Sequence, residues 1–331
     1  MRGDGPPATL SLTELYAPVA SELTSVKRLL AEELRSDLAF IGELSQHVSR
    51  FHGKLLRPGL LLLSGQACGR LRPEHAVLGA VTELVHLATL VHDDVLDESQ
   101  MRRRAATVNC RWGNGRAVLA GDYLYSHAFH LCSTLDSQLA ARLIGRTAIT
   151  VCEGELLQVV NRGNFDLTEE QYLDIVRRKT AALLETCCEL GARFAGADEA
   201  TVGRLRTFGR GLGIAFQIID DLLDLVGEES EVGKTLGRDL SEGEPTLPVI
   251  HYLRTCPAER RPLLLQLVGD RAPGARRQVA ALLESSGSLA YSQTMAQRHV
   301  EEARRALRHL PDSAARASLD ALAEFVIARR H

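Results

Sequence analysis

Apolar residues recur along this chain at the three-to-four spacing of helices, and no stretch shows the sustained period-two alternation of a half-buried strand. No proline occurs between residues 74 and 244. Proline is the strongest helix breaker, so that span permits long uninterrupted helices. Leu, Ala, Arg and Glu dominate, and all are good helix formers. In "DLTEEQYLDIV", Thr168 and Gln171 form a capping box that opens an apolar-periodic run. The pattern predicts an all-α fold: one domain over residues 11–331, a bundle of long, mostly antiparallel helices whose inward faces can build a site. Residues 1–10, "MRGDGPPATL", have no apolar core and no signal-peptide pattern, and are expected to be disordered.

Two of the apolar runs end in carboxylates. "HLATLVHDDVLDE" carries Asp93, Asp94 and Asp97, and "FQIIDDLLDLV" carries Asp220, Asp221 and Asp224. At helical spacing His86, Leu90, Asp93 and Asp97 fall on one stripe, and Gly213, Gln217, Asp220 and Asp224 on another. Like charges four apart on a helix cost about 0.2–0.5 kcal/mol even when solvated, and burying them unpaired costs far more. One such motif could be an acidic helix end turned to solvent. Two, both inside apolar runs, are better explained by an arriving cation, and an all-carboxylate donor set suits Mg²⁺.

Composition narrows the classes. A chain of 331 residues with 45% hydrophobic content can bury a large core, and no linker or shift in composition divides it. A formal charge of −3 argues against a nucleic-acid role. The seven cysteines show no CxxC spacing, which argues for a reducing, cytoplasmic setting and against a zinc site or a disulfide framework. Cys187 and Cys188 read as helix packing. Glu83 and His86 interrupt the longest apolar run, so no membrane span is expected.

The basic residues suggest what a metal would hold. Lys54 and Arg57 stand before Pro58, and Arg102, Arg103 and Arg104 follow the first acidic motif. Lys179 precedes Thr180, and Lys234 lies in a glycine-rich loop. Each alone is more simply a solvated surface charge. Arginine forks and lysine point charges flanking two acidic seams are together better explained by a diphosphate bridged by metal ions.

From residue 50 to about 250 the chain carries, in order, "GKLLRP", "HDDVLDESQMRR", "GDYL", "EGELLQ", "KTAALLE", "FQIIDDLLD", "GKTLGRDL" and "TLPVI". In these stretches and their order it resembles the polyprenyl synthetase family of trans-isoprenyl diphosphate synthases, most of all its long-chain octaprenyl and heptaprenyl types. The resemblance implies an all-α bundle around a deep central cavity, a homodimer, and Mg²⁺-dependent head-to-tail condensation of isopentenyl diphosphate with an allylic diphosphate. It also implies three Mg²⁺ ions and no stable membrane anchor beyond transient contact for product release. Asp93, Asp97 and Asp220 would bind metal directly. Asp94, Asp221, Asp224 and Asp239 would hold metal-bound water and nearby lysines. Arg102, Lys179 and Lys234 would contact the allylic diphosphate, and Lys54, Arg57, His86 and Arg103 that of isopentenyl diphosphate. His86 alone would read as a satisfied core histidine.

The chemistry such a site performs is ionisation. The metal and the cationic side chains would neutralise the leaving diphosphate, while Thr180, Gln217 and carbonyls near Lys179 would steady the allylic cation in a dry cavity. No side-chain base is evident, so the departing diphosphate is expected to take the proton. Two positions depart from the family pattern. Glu244 stands where a lysine is usual, with Arg238 a candidate to offset it, and Arg104 stands where a glycine is usual. The basic C-terminus is a candidate to fold over the site through Arg329.

Product length is read from the first helix. Ala88 lies five residues before Asp93, about 7.5 Å below it along the axis. Ala88 and Thr89 are small, which favours a product longer than twenty carbons. If Ala88 merely packs a helix crossing and a neighbouring helix closes the channel, through Phe129 for instance, a geranylgeranyl product remains open. A terpene cyclase and a non-catalytic subunit of a heteromeric synthase are the other readings. The second DDxxD and the second cationic cluster disfavour both.

Overall fold

The computed structural model describes residues 11–51, 53–227, 236–269 and 274–329. The N-terminal ten residues and Lys234 therefore lie outside the described part. The helices, in chain order, are α1 (Leu12–Leu15), α2 (Ala20–Glu33), α3 (Ala39–Val48), α4 (Leu56–Ala67), α5 (Pro73–Leu96), α6 (Val108–Trp112), α7 (Asn114–Ser133), α8 (Gln138–Val160) and α9 (Glu169–Val176). After a π-helical turn at Arg177–Ala181 come α10 (Ala182–Phe194), α11 (Glu199–Val226), α12 (Arg238–Glu242), α13 (Leu247–Thr255), α14 (Arg261–Gly269), α15 (Ala275–Ser285), α16 (Ser288–Leu307) and α17 (Ala314–Ala328). The one hairpin among the described residues pairs β1 (Met101–Arg102) with β2 (Ala105–Ala106).

Local chemistry sets the helix ends. The Thr168–Gln171 capping box is formed, with the Thr168 hydroxyl accepting from the Gln171 amide at 3.2 Å and the Thr168 amide donating to Gln171 Oε1 at 2.9 Å. Pro73 sits in the first turn of α5, where its missing N–H costs nothing. Arg72 N donates to His75 Nδ1 at 3.0 Å, and His75 Nε2 lies 3.1 Å from the Gly191 carbonyl of α10. One imidazole thus ties the start of α5 to a helix far away in sequence.

Helix α5 is long and apolar enough to span a bilayer, but 72% of its most apolar window is buried inside the bundle, as expected of a core helix. Leu84, Leu87 and Val91 are fully enclosed, each contributing about 1.5–3 kcal/mol of burial. Helix α4 packs on α10, α10 on α11, α11 on α16 and α17, and α17 back on α4. This closed circuit, with α5 and α9 against it, leaves a cavity at one end of the bundle. A second, smaller core under Leu225, Val249, Tyr252 and Leu264 supports the segment that follows α11. Cys187 and Cys188 are buried packing residues, and all seven cysteines are free.

Candidate active site

The cavity has a volume of about 1120 Å³ and is walled by α4, α5, α9, the π-turn, α11, α12 and α17. Asp97 enters it from the end of α5, and Asp220, Asp221 and Asp224 enter from α11. Lys54, Arg57, His86, Arg102, Arg103, Lys179, Thr180, Gln217 and Asp239 also line it. Two acidic helices and most of the expected cations therefore meet in one space. Asp93, Asp94, Ala88 and Thr89 are not on its wall. Ala88 is fully buried, and Thr89 turns its hydroxyl back to the His86 carbonyl at 2.8 Å. Phe129 lies on the exposed side of α7.

Arginines neutralise the carboxylates. Asp94 is wholly buried and is gripped by Arg102, whose Nε donates to both oxygens at 2.9 and 3.0 Å and whose Nη2 lies 2.8 Å from Oδ1. Arg102, the candidate for the allylic diphosphate, lines the cavity and at the same time grips Asp94, the candidate for metal-bound water and nearby lysines. Asp97 pairs with Arg162 at 2.9 Å and with Arg238 at 2.7 Å. Asp220 pairs with Arg329 at 2.8 Å, and the Arg329 guanidinium lies 4.5 Å from the centre of the Phe216 ring. Asp224 Oδ2 accepts from the Asp239 amide at 3.1 Å, which ties the end of α11 to α12.

The π-turn carries the chemistry-bearing pair Lys179–Thr180. It fits only because α8 and α11 each present a glycine to it. A Cβ on Gly154 would lie 2.4 Å from Lys179 N, and one on Gly213 would lie 2.5 Å from Ala181 Cα. Such a turn puts one extra residue into the helix and re-aims its side chains, as π-bulges at functional sites do. Lys179 Nζ reaches Glu155 at 2.7 Å. Burial disfavours its charge, but the carboxylates of Asp93 and Glu155 outweigh that and hold it above the ordinary lysine range. Asp93, half-buried beside this pair, has its pKa pushed up to about 6 by desolvation, against the pull of Lys179.

Thr180 Oγ1 donates to Gln217 Oε1 at 2.7 Å, and Gln217 Nε2 donates to Asp221 Oδ1 at 2.8 Å. Tyr172 OH donates to the other Asp221 oxygen at 2.6 Å. Burial pushes the Asp221 pKa up to about 7, although both hydrogen bonds favour its charged form. Gln217 is thereby fixed with its carbonyl oxygen toward Thr180.

The second cationic cluster lies around α4. Burial lowers the pKa of Arg57, Arg103 and Lys54, and the buried carboxylate of Glu83 pulls the two arginines back up. Arg103 Nη1 donates to the Phe51 carbonyl. Arg57 Nε is buried without a hydrogen-bond partner among the described residues, which suits an incoming anion. Among the described residues, the non-glycine positions with positive φ are Leu55, Glu98, Arg103 and Arg104. Leu55, Glu98 and Arg103 line the cavity, and Arg104 is adjacent. Strained backbone held at one place is a mark of a functional site.

Sequence reasoning did not single out Tyr172, Glu155, Arg162 or Glu242, and gave Glu83 no role beyond interrupting an apolar run. Tyr172 sits inside the quoted capping-box segment, and Glu155 inside "EGELLQ". Their roles come from partners at long sequence separation. Glu244 faces the cavity and pairs with Arg162 at 3.1 Å, and Gln158 also donates to it. Arg238 bonds Asp97 and Glu242 rather than Glu244.

Among the described residues, no three carboxylate, histidine or cysteine side chains converge into a ready metal cage. That suits Mg²⁺, which is usually held by one or two carboxylates with waters and substrate phosphates rather than by an all-protein cage. The donor set fits: carboxylates from two helices face one space that has cations at its margins.

The Polyprenyl synthetase family model matches residues 39–285. The chain is 38% identical to the all-trans-nonaprenyl-diphosphate synthase (geranyl-diphosphate specific) of Rhodobacter capsulatus, over 96% of this chain and 97% of that one. It is 34% identical to the octaprenyl diphosphate synthase of Escherichia coli (strain K12), over 97% and 99%. Among solved structures, a polyprenyl synthase from Caulobacter crescentus, complexed with calcium and isoprenyl diphosphate, superposes with a TM-score of 0.93 at 33% identity, covering 98% of this chain and 100% of that one.

Proposed function

The chain belongs to the polyprenyl synthetase family and is a prenyltransferase, and from that premise we propose that it joins isopentenyl diphosphate to an allylic diphosphate, head to tail, to build a long all-trans polyprenyl diphosphate. The observation that carries this reading is the meeting of Asp97 on α5 with Asp220, Asp221 and Asp224 on α11 across a cavity that also holds two separate groups of cations. A terpene cyclase needs only one such group.

Asp97 and Asp220 on the cavity wall, with Asp93 just off it beside Lys179, would hold Mg²⁺, three ions in all, which would supply charge neutralisation for the leaving diphosphate. Lys179, Lys234 and Arg102 would bind the allylic diphosphate, and Lys54, Arg57, His86 and Arg103 that of isopentenyl diphosphate. Asp94 orients Arg102 through its fork. Thr180 and Gln217 present oxygens to the cation, with Gln217 locked by Asp221 and Tyr172. Leu90, Leu167, Val176 and Phe216 are apolar wall that excludes the water which would otherwise capture the cation. The departing diphosphate takes the proton.

Product length beyond twenty carbons is supported by the nonaprenyl and octaprenyl relatives; Ala88 and Thr89, buried in α5 off the cavity wall, do not themselves line a channel for the tail. A homodimer through α7 and α8 is supported by their exposed Leu119, Phe129, Ile149, Leu156 and Val160, an apolar face larger than scattered surface residues would leave. The free cysteines support a reducing, cytoplasmic setting. One experiment tests the function: incubation with farnesyl diphosphate, radiolabelled isopentenyl diphosphate and Mg²⁺, followed by chromatography of the products. A ladder longer than the twenty-carbon stage is expected. Cyclic hydrocarbon made without isopentenyl diphosphate, or no incorporation of label, overturns it.

A further inference from the structure

Arg162 follows Asn161, the cap of α8; it lies behind the cavity wall, beside the lining residues Asp97, Glu242 and Glu244, and its guanidinium touches all three carboxylates. Nη2 lies 2.9 Å from Asp97 Oδ1 and 3.0 Å from Glu242 Oε2, and Nε lies 3.1 Å from Glu244 Oε1. The backbone beneath it is fixed separately, because the next amide, Gly163 N, donates to Gly243 O at 2.7 Å. Asp97 is engaged on both oxygens, by Arg162 on one and Arg238 on the other. A metal ion arriving at Asp97 must share its oxygens with these arginines or take the place of one. Arg162 would keep Glu244 on Nε and Glu242 on Nη2, and the N–H donors these two do not occupy would stay within reach of whatever the metal binds next. An anion bridging that metal meets a guanidinium already held in place, the geometry that favours charge-assisted, fork-like contacts to phosphate.

We propose that Arg162 is a ligand of the allylic diphosphate, aimed by Glu244 and resting on Asp97 until metal binds. The inference rests on the assignment of the Asp97 side of the cavity to the allylic substrate. Glu244 is then a positioning residue: it puts no positive charge into the site itself but holds an arginine that does. Placing Arg162 on a loop bonded to Gly243 also couples the segment after α12 to the occupancy of the site.

The test uses the full chain loaded with Mg²⁺ and farnesyl thiodiphosphate, an allylic analogue that resists ionisation, titrated by calorimetry. Arg162→Ala is expected to weaken the analogue roughly ten- to hundredfold, the range for lost hydrogen bonds to a charged group, with the KM for isopentenyl diphosphate changing less than about twofold. Arg162→Lys recovers part of the affinity. Glu244→Gln, which leaves the arginine but loosens its aim, gives a smaller loss. Mg²⁺ titrated alone binds Arg162→Ala at least as tightly as the parent, because the carboxylate has lost a competitor. A merely structural role would weaken the metal and the analogue together. A folded Arg162→Ala protein with unchanged analogue affinity, or with equal losses for both substrates, overturns the inference. A parent protein that binds no analogue overturns the allylic assignment itself, a failure recognised because it needs no substitution.

Discussion

Gly154→Ala is the sharpest test of how the π-turn is built. A Cβ at residue 154 would stand 2.4 Å from Lys179 N and 2.8 Å from both Lys179 Cα and Arg178 Cβ, where ordinary contact begins near 3.4 Å. Two of those atoms are backbone, so α8 and the π-turn must part by about 1 Å or the turn must revert to α geometry. Overpacking of this kind costs about 1–3 kcal/mol. Alanine returns about 1 kcal/mol of helix propensity over glycine, so the net loss is about 0–2 kcal/mol and the melting temperature falls by no more than roughly a few degrees. The kinetic effect is larger. A misplacement of about 1 Å in a positioned group can cost on the order of a hundredfold, here through Lys179, Thr180 and the Gln217 contact. The assay is kcat at saturating substrates beside thermal unfolding, with Gly203→Ala as control. Gly203 lies on α11 with open space around its Cα, so that change should gain about 1 kcal/mol or less and leave kcat alone. A Gly154→Ala enzyme with kcat within about threefold of the parent would refute the claim that the two glycines set the position of Lys179.

Asp220→Ala and Asp93→Ala should each abolish measurable turnover while the far-ultraviolet dichroism stays unchanged and Mg²⁺ stops raising the melting temperature; near-normal activity in either would remove the metal assignment. Arg104 holds φ +63 in the two-residue loop between β1 and β2, so Arg104→Gly should gain about 0.5–1 kcal/mol, the left-handed strain relieved less the extra chain entropy, read as a higher melting temperature, and a lower one would sink this. His75 is wholly buried, and burial holds its pKa below the ordinary imidazole value. The unfolded chain then binds the proton more readily, so stability is full above about pH 6.5 and falls as pH drops below it. Urea midpoints from about pH 7.5 to about 5.5 should fall more steeply for the parent than for His75→Asn, and parallel slopes would contradict the argument.

The two acidic motifs were legible because each is local: three carboxylates within about one helical turn, on an apolar run, need no tertiary information to stand out. The capping box at Thr168 was legible for the same reason, since caps act over a few residues. Arg57, Lys179 and His86 could be nominated from their place beside such runs. Tyr172 could not. Its part in the site is a hydrogen bond to Asp221, 49 residues away, and nothing near Tyr172 in the sequence distinguishes it from a core aromatic.

What the sequence alone determined, then, is the class of fold and the chemical kind of site: helices, two acidic seams and a surplus of cations near them. What only the tertiary structure decided is which charge meets which. Arg102 holds Asp94, Arg329 holds Asp220 across 109 residues, and Arg162 joins Asp97 to Glu242 and Glu244. The π-turn belongs to the same category, because it packs against glycines on α8 and α11, where a Cβ would stand 2.4 Å from Lys179 N and 2.5 Å from Ala181 Cα. Periodicity records which face of a helix is buried. It carries no record of the neighbour on that face, since pairing energies depend on distances between side chains that the chain brings together only when the whole bundle closes.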